Sequence, residues 1–477
     1  MNSKTILLVA AMLMLGGCMV GPNYSKPAVP LSPAFKESPP AAFKEGDGWK
    51  TATPSDQVLR GDWWTMFQDP QLNALETQVD TANQTLKAAE ANYRAARATV
   101  MFSRAQLKPT IGTEPGIAAV HGTLGPVNGQ AVQTGPGSIT LPIDAGWELD
   151  LWGRLRRGVT SAREQAQASA ADLENARLSL HAELAIDYFE LRSADTQTKL
   201  LDETIKAYTQ ALQLTQDRFD GGAAPQSDVT QARTQLDTAR VQQTDLGVMR
   251  SEFEHAIAIL TGKPPADLTL PPAPIAAAIP DIPGAVPSQL LERRPDIAAE
   301  ERRMAASNEQ IGIAKAAYYP TLNLSALTGL QSGLVSWPTA MWAVGPTLSQ
   351  TLFDGGRRRA TSQIALENYD AAVANYRQTA LTAFQQVEDN LAALRVLETE
   401  SQQQKEATAS AQQSLDLFQT RYEGGVDTYL QVVTWQTAAL FNERAEIDLM
   451  RRRLDASVLL IKALGGGWDS ARLTALK

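Results

Sequence analysis

The chain has 477 residues, a formal net charge of −9, a pI near 5.1 and a mean hydropathy of −0.22. That length supports a large core in more than one structural layer, and the acidic balance argues against nucleic acid as a partner. Beyond the N-terminus no apolar run reaches the roughly 18 residues of a spanning helix, so any membrane crossing falls to β-strands.

Lys4 followed by the apolar run Ile6–Leu15 reads as a secretory signal peptide over residues 1–17, too short to span a bilayer. The stretch Leu15-Gly16-Gly17-Cys18 resembles the lipobox of bacterial lipoproteins. The resemblance implies cleavage before Cys18 and a covalent lipid there, an S-diacylglycerol plus an N-acyl chain such as palmitate. Met19 stands where lipoproteins retained at the inner membrane commonly carry Asp. Cys18 is the only cysteine, so a disulfide within the chain is excluded. Residues 18–60, rich in Pro, Ser, Ala and Lys, read as a lipidated tether extended over the folded body. His121, His181 and His255 lie far apart in sequence and read as scattered polar or core histidines, with no metal site.

The rest of the chain is written twice. Arg218-Phe219-Asp220-Gly221-Gly222 recurs as Arg421-Tyr422-Glu423-Gly424-Gly425, Trp152-Gly153-Arg154 as Gly355-Gly356-Arg357, and Leu107-Lys108-Pro109-Thr110 as Tyr318-Tyr319-Pro320-Thr321. In chain order the expected segments are helices over 61–108, a β-hairpin over 109–152, a long helical hairpin over 153–264 and a linker over 265–293. The second half follows with a helix over 294–318, a β-hairpin over 319–354, a helical hairpin over 355–466 and a tail over 467–477. Arg154 to Phe219 contains no proline and only Gly158, and Arg357 to Glu423 contains neither residue. Each run predicts a helix of roughly 65 residues, about 100 Å long at 1.5 Å per residue. Apolar residues such as Tyr376, Ala380, Val387, Leu391 and Leu394 advance by threes and fours, the narrow seam of a helix packed between neighbours. Shorter helices are expected near 82–107, 225–261, 294–317 and 427–464.

The hairpins carry period-two alternation. Ile139, Leu141, Ile143, Ala145 and Trp147 alternate with polar or small residues, as do Leu322 to Leu330 and Trp342 to Leu352. One apolar and one wet face fit a barrel wall with lipid outside and water inside. Trp147, Trp152, Trp337 and Trp342 near strand ends are candidates for interfacial girdles. Four strands cannot close a spanning barrel, for which about eight or more are needed, so several chains would have to share one sheet.

Several motifs resemble the outer membrane factor family, the TolC/OprM-like exit ducts of export systems, in its NodT-type lipoprotein branch. They are Cys18 to Tyr24, Asp62-Trp63-Trp64 with Phe67 and Asp69-Pro70, Leu291 to Ile297, Leu352 to Arg357, and Ala463 to Trp468. The resemblance covers nearly the whole mature chain. It implies a mixed α and β fold and a homotrimer. Four strands per protomer would form one 12-stranded transmembrane β-barrel, continuing into a long periplasmic α-helical barrel with an internal two-fold sequence repeat. Its implied place is the bacterial outer membrane, lipid-anchored. Its implied partners are outer-membrane lipid, a periplasmic adaptor (membrane fusion) protein and an inner-membrane pump, commonly of the resistance-nodulation-division class. The duct would conduct solutes passively, with no cofactor and no catalysis.

By the same resemblance, the turns at Gly221-Gly222 and Gly424-Gly425 meet the adaptor. The closed periplasmic gate would have Leu430 at the constriction and Tyr422 just before the second Gly-Gly pair. Thr434 stands where the family often has an aspartate, and Asp228 and Asp427 are the candidate substitutes for a carboxylate ring. Gly355 to Arg359 lacks a phosphate-loop pattern and reads as a strand-to-helix turn, and Arg293 and Arg294 read as ties around a helix start. A lipidated adaptor would carry one main hairpin rather than two, and a hydrolase would need a catalytic set that is not visible. A non-transporting envelope spacer remains open on these residues alone.

Overall fold

The computed structural model describes residues 19–29, 34–37, 61–118, 138–282, 293–333 and 337–468. The expected signal peptide, Cys18 and His121 lie outside them. A short 3-10 turn over Trp63–Phe67 leads into helices α1 (Pro70–Ala82) and α2 (Gln84–Ala105), then strands β1 (Thr110–Gly112), β2 (Gly116–Ala118) and β3 (Ser138–Leu149). Helices α3 (Arg154–Asp220), α4 (Gln226–Leu260) and α5 (Pro295–Ala316) follow, then β4 (Thr321–Gly333) and β5 (Thr339–Ser349). Helices α6 (Arg357–Glu423) and α7 (Tyr429–Ala463) close the order. Both long helices have 67 residues, and both of their partners have 35. The expected helix near 82–107 is α2, and α1 precedes it within the segment 61–108. Asp69 caps α1, accepting the N–H groups of Gln71 and Leu72 ahead of Pro70 at the first helical position. Asn83 then ends α1 and caps α2 at once, its side chain accepting from Leu86 N–H while donating to the Leu260 carbonyl.

The chain divides into two compact units. The first comprises the described residues of Met1–Ala28, Asn92–Ala170 and Ala299–Arg377. Its sheet is antiparallel throughout, in the order β1-β3-β4-β5, with β2 also on β3. Thr110 pairs with Gly146 and Gly116 with Thr140, one unbroken register, so β1 and β2 are a single edge strand in two pieces. Pro115, which has no N–H to give, sits in the gap. The alternation resolves into faces through these registers. Ile111, Ile117, Ile139, Leu141, Ile143 and Trp147 share a side with Leu324, Leu330, Trp342, Val344 and Leu348. On the other side lie Thr140, Asp144, Glu148, Asn323, Ser325, Gln331, Thr347 and Ser349. The apolar side is bare: Ile111 is 77% exposed, Val344 75% and Trp342 72%. The expected strand through Leu352 stops at Ser349, because beyond that residue β5 has no partner in β4.

At the helix end of this sheet, charge fixes the N-terminal segment. The Arg157 side chain is 1% exposed, pairs with Glu309 at 2.7 Å and donates through Nε to the Val20 carbonyl at 2.8 Å. Gly21, at φ +115°, lies so close to Gly312 that a Cβ on it would sit 2.5 Å from the Gly312 Cα. Trp152 is half-buried, stacked on Tyr319 at 4.6 Å with its indole N–H on the Pro320 carbonyl, so it belongs to this junction rather than to an outward girdle.

The second unit comprises the described residues of Val29–Ala91, Ala171–Ala298 and Gln378–Lys477. Trp63, Phe67, Leu72, Leu184, Phe189 and Leu454 are among its core residues, each at most 2% exposed. Within it His181 stacks on Trp64 at 4.3 Å, with Nδ1 2.6 Å from Glu76 and Nε2 3.4 Å from Asp80. Burial opposes the imidazolium, but the hydrogen bonds to Asp80 and Glu76 outweigh it and raise His181 to about 9. Burial raises Glu76 to about 7. His181 is thus a core ion-pair residue, and His255 is exposed. Arg294 ties three elements, pairing with Asp296 and donating to Gln386 and the Ala463 carbonyl.

The Arg157 tie sets a stability expectation. Arg157→Ala strands a buried Glu309 carboxylate, and removing one partner of a buried pair costs about 3–5 kcal/mol. Thermal unfolding of the purified protein should show a clear loss of Tm. An unchanged Tm would mean the pair contributes nothing.

Candidate functional site

The two helix reversals carry most of the candidate residues. Helix α3 ends as Gly221 N–H bonds to the Asp217 carbonyl, Gly222 N–H to Phe219 and Ala223 N–H to Arg218. Helix α6 ends the same way, with Gly424 on Thr420, Gly425 on Tyr422 and Val426 on Arg421. Only the second glycine of each pair is left-handed, at φ +71° for Gly222 and +72° for Gly425. A side chain there would be strained, whereas Gly221 and Gly424 are not required by backbone angle.

The reversals are bonded to each other within the second unit. Arg218 Nη1 donates to the Tyr422 carbonyl at 2.6 Å, and the guanidinium lies 4.6 Å from the Tyr422 ring. Tyr422 is buried and meets Tyr429 edge-on at 5.2 Å, over Ala232 and Val432. Burial, and to a smaller degree Tyr422, Tyr208 and Asp228, push the Tyr429 hydroxyl above its ordinary value. Leu430, next along α7, is 55% exposed. Thr434 is exposed and turns its hydroxyl back on the Leu430 carbonyl at 2.9 Å. Asp427 is engaged by Arg421. Asp228 is half-buried in the first turn of α4, accepting from Ser227 at 3.4 Å.

The structure therefore brings Tyr422 together with Arg218 and Tyr429, and it leaves Leu430 free at the surface. Asp228, Asp427 and Thr434 do not join one cluster, and among the described residues no group of three or more acidic, His or Cys side chains is placed to hold a metal. The sequence reading missed Arg218 and Tyr429. Arg218 had a signal, since the repeat places an arginine before the aromatic residue in both turns.

A family model for outer membrane efflux proteins matches residues 76–263 and 286–466. The chain belongs to the outer membrane efflux protein family. It is 32% identical to outer membrane protein OprJ of Pseudomonas aeruginosa over 98% of this chain and 96% of that one. It is 31% identical to the toluene efflux pump outer membrane protein TtgF of Pseudomonas putida, over 97% of each. Among solved structures it resembles the MtrE outer membrane channel of Neisseria gonorrhoeae, with a TM-score of 0.79, 25% identity and coverage of 95% of this chain and 99% of that one. This efflux protein is thus a protein of the outer membrane and a component of an efflux system. No helix among its described residues is long and apolar enough to cross a membrane.

Hydrogen bonds to a charged group contribute about 1.5–3 kcal/mol, so losing the Arg218 link should loosen the second turn. For Arg218→Ala, amide exchange across Glu423–Val426 should accelerate by about tenfold or more, with Arg218→Lys between it and wild type. Identical exchange in all three would mean that Arg218 does not hold the turn.

Proposed function

We propose that the chain is the passive exit duct of a tripartite efflux system. The observation that carries the reading is the sheet, with one bare apolar face, one mostly polar or small face and, among the described residues, two open edges. In water such a face is a liability; in hydrocarbon it is the outer wall of a barrel whose polar face lines a channel. Strands of 12, 13 and 11 residues match the length a tilted membrane strand needs. Three copies, each giving four strands with β1 and β2 counted as one, would close a 12-stranded barrel. The paired 67- and 35-residue helices of the two repeats would form the periplasmic tube.

In this reading the segments keep the boundaries read from the sequence, and Cys18 carries the lipid that holds the tether in the outer membrane. The turns at Gly221-Gly222 and Gly424-Gly425 meet a periplasmic adaptor, which couples the duct to an inner-membrane pump of the resistance-nodulation-division class. Exposed Leu430 would form the constriction, backed by buried Tyr422 and Tyr429. Thr434 adds no charge, so any acidic ring rests on Asp228 or Asp427, and Asp427 is already neutralised by Arg421.

Conductance in planar bilayers tests both parts. Wild type should give small discrete steps, and Leu430→Ala should enlarge them several-fold. Equal steps in both would remove Leu430 from the gate. Membrane-inserted protein that conducts in neither form would overturn the duct.

A further inference from the structure

Resting on the duct reading, we propose the residue register of the seam between copies: β5 of one chain pairs with β1 and β2 of the next, with Leu352 opposite Ile111. The argument starts from two shifts that relate the halves. Thr110, which opens β1, corresponds to Thr321, which opens β4; Arg154, which opens α3, corresponds to Arg357, which opens α6. The first shift is 211 residues and the second 203, the difference falling in the loops between the strands. Applied to the first hairpin, they turn Thr110↔Gly146 into Thr321↔Ser349, Gly112↔Asp144 into Asn323↔Thr347, and Gly116↔Thr140 into Leu327↔Ala343. Each of these is an observed pair of the second hairpin. The repeat therefore holds rung by rung in the backbone.

The β3–β4 pairing is a different kind of contact, because it joins the first half to the second without a hairpin. Under the same shifts its rungs become pairs between β5 and β1. Leu149↔Leu322 becomes Leu352↔Ile111, Glu148↔Asn323 becomes Thr351↔Gly112, and Ile143↔Thr328 becomes Pro346↔Ile117. Within one chain β1 and β5 lie at opposite edges of the sheet, so these pairs need a second copy.

Three observations favour this seam. It places Ile111 (77% exposed), Ile117 (80%) and Leu352 (89%) on the same side as the rest of the apolar face, as a seam in lipid must. It also accounts for the early end of β5. Residues 350–352 correspond to the last rungs of β3, Trp147 to Leu149, and lie beyond the reach of β4. A neighbour's β1 would extend the strand through Leu352. Finally, it lays the stretch of β5 from Gly345 to Leu352 along Ile111 to Ala118, so that this part of either edge is no longer open to hydrocarbon.

Cross-linking in native outer membranes tests it, with the full chain and pairs of introduced cysteines; Cys18 is the only other cysteine. Adjacent rungs alternate between hydrogen-bonded and non-hydrogen-bonded geometry, so two pairs are used: Leu352→Cys with Ile111→Cys, and Thr351→Cys with Gly112→Cys. At least one should lose its monomer band on oxidation and shift to a covalent trimer, while the single variants stay monomeric on denaturing gels. Leu352→Cys with Thr113→Cys or with Pro109→Cys are shifted controls. Stronger cross-linking in a control would overturn the register and leave the duct standing. No cross-link in any pair, with a trimeric mass in mild detergent, would also overturn the seam alone. No cross-link and a single-chain mass would overturn seam and duct together.

Discussion

Backbone N–H and C=O groups in hydrocarbon must all be paired, and each one left open costs several kcal/mol. This sheet pairs β3 and β4 on both sides and leaves the outer edges of β5 and of the broken β1/β2 strand without a partner among the described residues. The apolar face that would enter the membrane ends at those same edges. A closed barrel built from more than one copy follows as a proposal from that one requirement, and the number three rests on the resemblance to the family. In hydrocarbon, a sheet that leaves two edges among the described residues would have to be finished by other copies.

The helical parts obey a different economy. Long helices are made by omission: with no proline and almost no glycine, nothing stops α3 or α6 for 67 residues. Their seams are narrow, and Tyr376, Ala380, Ala383, Val387, Leu391 and Leu394 are all buried along α6. Charge then fixes what hydrophobic seams leave free to slide. Arg157, Arg192 and Arg294 are each buried and each bond both a carboxylate and a backbone carbonyl. Arg218 serves similarly between the two reversals, but it is half-buried and bonds only carbonyls and a ring.

Features with a local cause were readable from the sequence. The long helices, the Gly-Gly reversals, the strand alternation and the strand-to-helix turns at Arg154 and Arg357 each rest on residues close in sequence. What escaped depends on distance. His181 meets Glu76 from 105 positions away, and Arg218 meets Tyr422 from 204 away, so neither pairing has a pattern of its own. The helix start near 82 is legible, but the tie that fixes it is not, because Asn83 bonds to the Leu260 carbonyl at the far end of α4. The sequence reading carries β5 three residues too far because Leu352 lies on the same side as Leu348, past Gln350, whether or not a partner is there. That overrun itself marks where a neighbouring strand is expected.

The most direct test of the account is single-particle imaging of the protein extracted from outer membranes in mild detergent. The account predicts a three-fold particle with one barrel whose wall takes four strands from each chain, continuous with a helical tube. A particle of one chain, or one in which each chain closes a sheet of its own, would contradict it.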